Sequence, residues 1–301
     1  MTTHRTWITI GGCLVIVLLA AATIGLCAQS KSSPDGAIRL IVRGDDIGSS
    51  HAANLACIQS FREGIVRSVE VMVPAPWFPE AVRMLKDNPG LDVGVHLTLT
   101  SEWNNCKWRP LTGPSSITDA EGYLFQMTSQ PKDFPPGAGF LDAKPKAEDV
   151  EKELRAQIEL ARRLIPQLSH LSAHMGTPVS RPDLRQLTQR LAAEYKLPLE
   201  LPPAVRPIGH WGSAAPTPAQ KEAALAELLG KLTPGDWYFV EHPGLDTPEM
   251  QALGHKGYEQ VAADRQGVTF AFTSPKVKQA VTDRGIRLIS YGEYYRSATT
   301  R

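Results

Sequence analysis

The sequence predicts an α/β fold, an irregular (β/α) barrel of the TIM-barrel type in a single domain. Short β-branched runs alternate with amphipathic helical patterns along the chain, which indicates parallel βαβ units. About seven such units follow a distinct N-terminal stretch, and roughly 270 residues suit one barrel better than an open sheet. Polar residues also follow several predicted strands, at the strand ends where barrels carry their active sites.

The first thirty residues differ in kind from the rest. His4 and Arg5 precede a nearly uncharged apolar stretch, residues 8–27, and small and polar residues come next. This order predicts a signal peptide over residues 1–28, and the alternative is an uncleaved N-terminal anchor, because the stretch is just long enough to span a bilayer. The barrel domain is predicted over residues 37–296. We therefore expect an exported protein, periplasmic or extracellular, or one anchored in the membrane through residues 8–27.

The composition narrows the choice of partners. Basic and acidic residues nearly balance, 32 against 31, so no nucleic-acid or anionic-membrane surface is expected. Two cysteines lie beyond the leader, Cys57 and Cys106, which could pair in an oxidising compartment but are too few for a disulfide scaffold. Cys57 stands among apolar residues of a predicted helix and is expected to be buried. A homodimer is left open.

The elements of the first half follow from periodicity. An apolar β-branched run at residues 38–42 leads into Asp45, Asp46 and Gly48, which indicates a buried strand that opens into a loop. A helix is predicted from His51 to the glycine at 64. Next come a strand over residues 66–73, a short helix over 79–87 and a strand over 91–100.

Periodicity fails over residues 101–145, which are rich in Pro, Gly, Trp and Asn. A loop this long inside a compact domain is usually functional. Exposed Trp and Asn suit a sugar, whose apolar ring face stacks on aromatic rings while amides meet its hydroxyls. We therefore predict that Trp103, Asn104 and Trp108 bind substrate. The alternative is that the tryptophans merely pin the loop to the body of the protein.

Regular structure resumes after this loop. A helix over residues 150–165 ends before Pro166, because proline disrupts a helix interior, and a strand over 168–174 follows. The remaining predictions are a helix capped by Ser180, a strand over 197–201, a loop over 202–216, a helix capped by Thr217, a strand over 236–241, a helix over 274–285 and a strand over 286–291.

Four polar sites share one position, at or near the end of a predicted strand: Asp45 with Asp46, His96, His174 and His242. Because these ends converge on one face of a barrel, the side chains should meet. One carboxylate and two neutral imidazoles form a metal site with open positions for water, which Asp46, His96 and His174 supply. Asp45 is then free to act as general base toward the metal-bound water, and His242 as the acid. Hydrolysis of an amide or ester needs both roles.

The same residues lie in motifs that resemble the YdjC-like carbohydrate deacetylases, a group that includes the chitooligosaccharide deacetylases. The stretch Arg43-Gly44-Asp45-Asp46-Ile47-Gly48 is similar to the family's Ala-Asp-Asp-Phe-Gly opening. Later stretches match further motifs in the right order: Val93-Gly94-Val95-His96-Leu97-Thr98-Leu99-Thr100, Ser169-His170-Leu171-Ser172-Ala173-His174, Glu241-His242-Pro243-Gly244, and the segment from Asp264-Arg265 to Tyr291.

The resemblance implies an irregular (β/α) barrel that uses one divalent metal ion, Mg²⁺ or Zn²⁺, to remove an acetyl group from an N-acetylated sugar or oligosaccharide. Residue by residue, it implies metal ligands at Asp46, His96 and His174, a base at Asp45, an acid at His242, and at Arg265 a supporting residue near the carboxylates and the substrate. The roles of the two adjacent aspartates are the least secure part, because neighbours can exchange them.

Two positions depart from the family pattern. Its third motif usually reads Asp-Ser-His-x-His, whereas Ser172 replaces the acid here and Gly176 replaces the second histidine. The first change removes an expected partner of the metal ligands. The second enlarges or reshapes the sugar site.

Two other functions remain as alternatives. Ser172 favours a non-catalytic carbohydrate-binding protein on the same barrel, although binding alone needs neither a base nor an acid. The second alternative is phosphoester hydrolysis at the same metal. Phosphate binding usually recruits several cations, and only Arg43 and Arg265 lie near the motifs, which counts against it.

Overall fold

The structure, a computed structural model, describes residues 36–211 and 217–299. The predicted signal peptide at residues 1–28, with its apolar stretch at 8–27, lies outside the described residues. None of the helices within the described ranges is both long and apolar enough to cross a membrane.

Seven strands, all paired in parallel, form one curled sheet within the described residues. They are β1 (Ile38–Ile47), β2 (Ser68–Val71), β3 (Asp92–Leu97), β4 (Leu168–Ala173), β5 (Arg206–Pro207), β6 (Gly235–Glu241) and β7 (Arg287–Ile289). The order is β4-β3-β2-β1-β6-β5, and β7 also pairs with β1. The predicted α/β fold is confirmed: parallel strands form a curled half-barrel with helices around it.

Nine α-helices of the described residues accompany the sheet. They are α1 (His51–Arg62), α2 (Phe78–Lys86), α3 (Ala147–Leu164), α4 (Pro182–Tyr195), α5 (Pro218–Gly230), α6 (Pro248–Gln251), α7 (Val261–Thr273), α8 (Pro275–Asp283) and α9 (Tyr291–Thr299). The predicted cap at Thr217 is confirmed. Thr217 forms a capping box with Gln220, and the Ser274 hydroxyl accepts from the first backbone N–H groups of α8. The predicted cap at Ser180 is wrong, because the N-cap residue of α4 is Arg181 and the Ser180 hydroxyl donates instead to the Thr177 carbonyl.

Strand β1 is the centre of the sheet and is buried on both of its faces. Leu40 and Val42 belong to the main core, which lies between the sheet and the helices. Ile41 points the other way, into a small inner cluster with Tyr291 and Tyr294. Because side chains alternate along a strand, Arg43 and Asp45 continue the inner face of Ile41. The sequence of β1 therefore brings charged groups into the curl of the sheet.

Two predictions about the second half of the chain are wrong. The predicted strand over residues 197–201 is absent. Pro198 there has no N–H for a ladder, although its carbonyl accepts from Leu171 of β4 at 2.8 Å. The loop predicted over 202–216 contains β5, and the helices α7 and α9 were not anticipated.

The long loop at residues 101–145 contains no regular helix or strand, as predicted, and α3 holds it in place. The fully buried Glu153 carboxylate accepts from the backbone N–H groups of Leu111 and Thr112 at 3.1 and 3.0 Å. Gln157, one turn later, exchanges hydrogen bonds with the backbone of Thr98 just beyond β3. The loop is therefore fastened to the body of the protein at its base.

Cys57 and Cys106 are free thiols in the structure. Cys57 is buried in the main core, as predicted, and burial raises the pKa of its thiol. A buried thiol of raised pKa is a poor nucleophile, so Cys57 serves packing.

Candidate metal site

A bulge at the end of β1 brings two adjacent aspartates to the site. Gly44 pairs with Val69 and Ile47 pairs with Val71, so Asp45 and Asp46 together oppose a single residue of β2. Asp46 adopts a left-handed backbone with φ of 72°, which is rare for a residue other than glycine. Strained backbone of this kind clusters at active sites and ligand-binding positions, where the surrounding structure holds it in place.

The structure brings together the three residues predicted as metal ligands. Asp46 Oδ1 lies 3.6 Å from His96 Nε2 and 3.5 Å from His174 Nδ1, and all three side chains are buried. The three ligand atoms lie within 4.8 Å of one another. His96 lies on β3, and His174 directly follows β4, so parallel neighbouring strands supply both imidazoles.

Each histidine uses its other ring nitrogen to contact the protein. His96 Nδ1 lies 2.7 Å from Ser172 Oγ, and His174 Nε2 lies 3.0 Å from Glu102 Oε2. These contacts leave His96 Nε2 and His174 Nδ1 directed at the Asp46 carboxylate. A histidine oriented in this way through its second nitrogen is the usual arrangement in metal sites.

The two imidazoles differ in their pKa. Burial, and after it the charge of His174, lowers the pKa of His96 to about 3, so His96 is neutral and able to coordinate a metal. Burial also lowers the pKa of His174, but the Glu102 and Asp46 carboxylates outweigh it and raise the pKa to about 10. A metal ion would therefore displace a proton from His174.

Whether these residues suit a metal ion can be tested on the hydrogen-bond partners of the two Asp46 carboxylate oxygens. Its Oδ2 accepts from Arg265 Nη2 at 2.8 Å, whereas its Oδ1 is buried and has no hydrogen-bond partner among the described residues. A buried carboxylate oxygen without a partner is costly. Because two imidazole nitrogens face the same oxygen, the donor set suits a divalent ion such as Zn²⁺ or Mg²⁺.

Asp45 lies beside this group and is held by Arg43. The guanidinium donates to both carboxylate oxygens, at 2.7 and 2.8 Å, and also to the Tyr291 hydroxyl at 2.9 Å. Burial lowers the pKa of Arg43, but Asp45 raises it well above its ordinary value, so this cation stays charged. Asp45 Oδ2 lies 3.8 Å from His96 Nε2, which places the carboxylate at the edge of the metal site.

His242 follows β6 directly, and its side chain is 41% exposed. Its Nδ1 lies 4.0 Å from Glu241 Oε2. Desolvation lowers the pKa of His242, whereas the Asp46 carboxylate and Glu241 raise it, and the net direction is upward. A raised pKa favours the protonated form that a general acid needs.

The tryptophans of the long loop are not exposed, so this part of the sequence prediction is wrong. Trp103 and Trp108 retain 2% and 3% of their surface, since the loop folds onto the body of the protein. Trp108 donates to the Thr100 carbonyl, and the Trp103 ring lies under the Arg265 guanidinium, 5.2 Å from its centre. Both rings pin the loop, which was the alternative. Asn104 is exposed, and its role in substrate binding stays a prediction.

Sequence reasoning missed three residues near the site. Glu102 stood in a loop without periodicity, and only its position shortly after β3 could have drawn attention to it. Glu70 is a fully buried charge between Val69 and Val71 in β2, and a carboxylate inside an apolar run is itself a signal. Trp77, 37% exposed, has its backbone N–H bonded to the Gly48 carbonyl of the loop that follows the aspartates.

Fold and site together define a class of protein. It is a (β/α) half-barrel with a buried Asp-His-His group at the strand ends, able to hold one divalent metal ion beside a further carboxylate and a further histidine.

Comparisons with known proteins identify the family. The family of YdjC-like proteins matches residues 39–283. The carbohydrate deacetylase of Thermus thermophilus is 32% identical over 81% of this chain and 89% of its own length. The chitooligosaccharide deacetylase of Yersinia pestis is 29% identical over 84% of this chain and 97% of its own. The chain belongs to the YdjC-like family, and the prediction of that family, whose matching relatives are named as enzymes, is confirmed.

A solved structure has the same fold. It is an Enterococcus faecalis protein named for cellobiose-phosphate cleavage, and it superposes with a TM-score of 0.69 at 21% identity. The superposition covers 86% of this chain and 99% of the other. This likeness confirms the barrel-type architecture.

Proposed function

We propose that the protein is a metal-dependent carbohydrate deacetylase, which hydrolyses the acetyl amide of an N-acetylated sugar or oligosaccharide. The observation that carries the proposal is the buried, unpartnered Oδ1 of Asp46, faced by one nitrogen from each of two histidines. The names of the relatives from Thermus thermophilus and Yersinia pestis support the substrate class.

Asp46, His96 and His174 would hold the metal ion. A bound divalent ion lowers the pKa of water and polarises a carbonyl oxygen. Asp45 would accept the proton of the attacking water, since its two oxygens are fixed by Arg43 beside His96. As the C–N bond breaks, His242 would give its proton to the leaving amine. The raised pKa of His242 fits its role as proton donor.

The substrate would meet an aromatic ring outside the long loop. Trp77 has an exposed face, and the imidazole of His51 lies against it with 5.1 Å between ring centres. Its backbone contact with Gly48 fixes the ring close to the strand end that carries the aspartates. An exposed indole suits the apolar face of a sugar ring. Gly176, with open space around it, fits the expectation of an enlarged sugar site.

Export is also part of the proposal. The basic, apolar and small segments at residues 1–28 support a protein of the periplasm or the cell exterior, with an N-terminal anchor as the alternative. N-acetylated envelope glycans would then be within its reach.

The test is acetate release from a panel of N-acetylated and O-acetylated glycans. The protein is stripped of metal and resupplied with Zn²⁺, Mg²⁺, Mn²⁺ or Co²⁺ in turn. We expect release that returns with metal, disappears in Asp45→Asn and persists in the control Asp183→Asn on the exposed side of α4. Bound metal without release from any glycan would refute the deacetylase and favour a carbohydrate-binding protein.

A further inference from the structure

A buried carboxylate, Glu70 of β2, reaches the metal site through a serine. The Ser172 hydroxyl contacts His96 Nδ1 at 2.7 Å and also forms a short hydrogen bond with Glu70 Oε2. Glu70 and Ser172 are buried with 0% and 6% of their surface exposed. Three neighbouring strands, β2, β3 and β4, contribute one member each, so the sheet itself fixes the geometry.

The direction of the proton follows from the chemistry of a hydroxyl, which has one hydrogen to donate. An ionised carboxylate can only accept, so Ser172 donates to Glu70 and must accept from His96. His96 then carries its proton on Nδ1, and Nε2 presents a lone pair toward Asp46. If the hydroxyl turned round, His96 would present an N–H to the metal position instead.

The surroundings keep Glu70 ionised. His170 Nε2 lies 2.5 Å from Glu70 Oε1, and Arg43 Nε lies 3.7 Å from the same oxygen. Burial raises the pKa of Glu70, but the charges of His170 and Arg43 lower it by more, so the pKa lies below its ordinary value.

The contact of Glu70 with residues of β4 depends on a glycine in the strand between them. Gly94 of β3 pairs with Glu70 on one side and with His170 on the other. A Cβ at Gly94 would collide with the Glu70 carboxylate and with His170 Nε2. Glycine at this position therefore lets the carboxylate cross over β3 to its partners on β4.

We propose that Glu70 is a positioning residue of the metal site, which sets the tautomer of His96 through Ser172 and so leaves Nε2 free to bind a divalent metal ion. This inference rests on the proposed function only in taking Asp46, His96 and His174 as the ligands. It also explains the serine where the resembled motif has an acid, because Glu70 supplies the negative charge from the next strand but one.

The first experiment measures Zn²⁺ affinity by competition with a chromophoric chelator. We expect Glu70→Gln and Ser172→Ala each to weaken binding by about 10- to 100-fold, and the double variant to bind no worse than the weaker single variant. Ser60→Ala is the matched control, since the Ser60 hydroxyl is buried without a hydrogen-bond partner among the described residues. Unchanged affinity in folded Glu70→Gln, or additive losses in the double variant, would overturn the proposal.

The second experiment needs no metal, so it separates this inference from the proposed function. Nitrogen-15 spectra of histidine-labelled, metal-free protein report which ring nitrogen of His96 carries the proton. We expect the Nδ1–H form in the parent protein and a mixture of forms in Glu70→Gln. If His96 had the same single tautomer in the parent protein and in Glu70→Gln, Glu70 would not set that tautomer, whether or not the protein deacetylates any glycan.

Ser172→Asp tests whether Glu70 already supplies the negative charge that position 172 needs. Beside Glu70 it would place a second carboxylate in a buried site, where like charges are unfavourable, so we expect weaker Zn²⁺ binding. Combined with Glu70→Gln, the new aspartate should restore binding toward that of the parent protein. Tighter binding in Ser172→Asp alone would contradict the role of Glu70.

Discussion

Replacement of Glu153 by glutamine tests what holds the long loop over the site. The Glu153 carboxylate is fully buried and accepts four hydrogen bonds. Oε1 accepts from Leu111 N at 3.1 Å and Gln157 Nε2 at 2.8 Å, while Oε2 accepts from Thr112 N at 3.0 Å and Thr112 Oγ1 at 2.8 Å.

The expected loss of stability depends on which of these four hydrogen bonds a glutamine amide can keep. A glutamine would place its oxygen toward Leu111 and Gln157 and its NH₂ group toward Thr112, whose hydroxyl can turn to accept. The backbone N–H of Thr112 then loses a charged acceptor and faces another donor. Hydrogen bonds to charged groups contribute about 1.5–3 kcal/mol, so we expect the free energy of unfolding to fall by about that amount.

Urea denaturation of metal-free protein, followed by tryptophan fluorescence, measures the change. Glu148→Gln is the matched control, because Glu148 lies exposed in the first turn of the same helix, and its effect should stay within about 0.5 kcal/mol. A loss in Glu153→Gln no larger than in this control would refute the reasoning that Glu153 fastens the loop.

Three further predictions concern the loop and the site. Glu102→Gln keeps an acceptor for His174 but removes its charge, so Zn²⁺ affinity should fall by about 10- to 100-fold in chelator competition; equal affinity would show that Glu102 does not orient the ligand. Hydrogen bonds from Ser116 lower the pKa of Asp149 below the 3.8 of an unfolded chain, so its stabilising effect is present above this pH and is lost as the pH falls. The stability difference between the parent protein and Asp149→Asn should therefore shrink on acidification, and a constant difference would contradict this assignment. Trp77→Ala should raise KM for oligosaccharides more than Trp77→Phe does. The urea midpoint of unfolding should stay the same, and an unchanged KM would exclude stacking on this ring.

The strand ends could be predicted because their physical basis is local. Polar site residues stand at or near the ends of β1, β3, β4 and β6, and parallel strands bring such ends to one edge of the sheet. Asp46, His96 and His174 could therefore be grouped before any coordinates were known. The contact between Asp46 Oδ1 and both imidazoles agrees with that reasoning.

The parts that sequence reasoning missed depend on tertiary contacts. Helix α7 contains Gly267 and several β-branched and aromatic residues of weak helix propensity, yet it forms because it packs on α5. A Cβ at Gly267 would meet the Lys221 side chain at 3.0 Å, so glycine permits this close packing. Trp103 and Trp108 looked exposed because their segment had no periodicity, and burial of a loop leaves no periodic trace in sequence.

The two adjacent aspartates differ in their partners, and this separates their roles. Arg43 takes both oxygens of Asp45, whereas Arg265 takes one oxygen of Asp46 and leaves Oδ1 for the histidines. In Asp45→Asn the cation of Arg43 still has Glu70 at 3.7 Å, so we expect a folded protein that binds Zn²⁺ but does not release acetate.

Asp46→Asn should behave differently. It removes the carboxylate from both His96 and His174 and leaves the buried Arg265 without its charged partner, which costs about 3–5 kcal/mol in comparable buried pairs. We therefore expect loss of Zn²⁺ binding together with a clear loss of stability. Zinc content and urea denaturation measured on both variants test this difference. If Asp45→Asn lost the metal and Asp46→Asn kept it, the two neighbours would have exchanged roles.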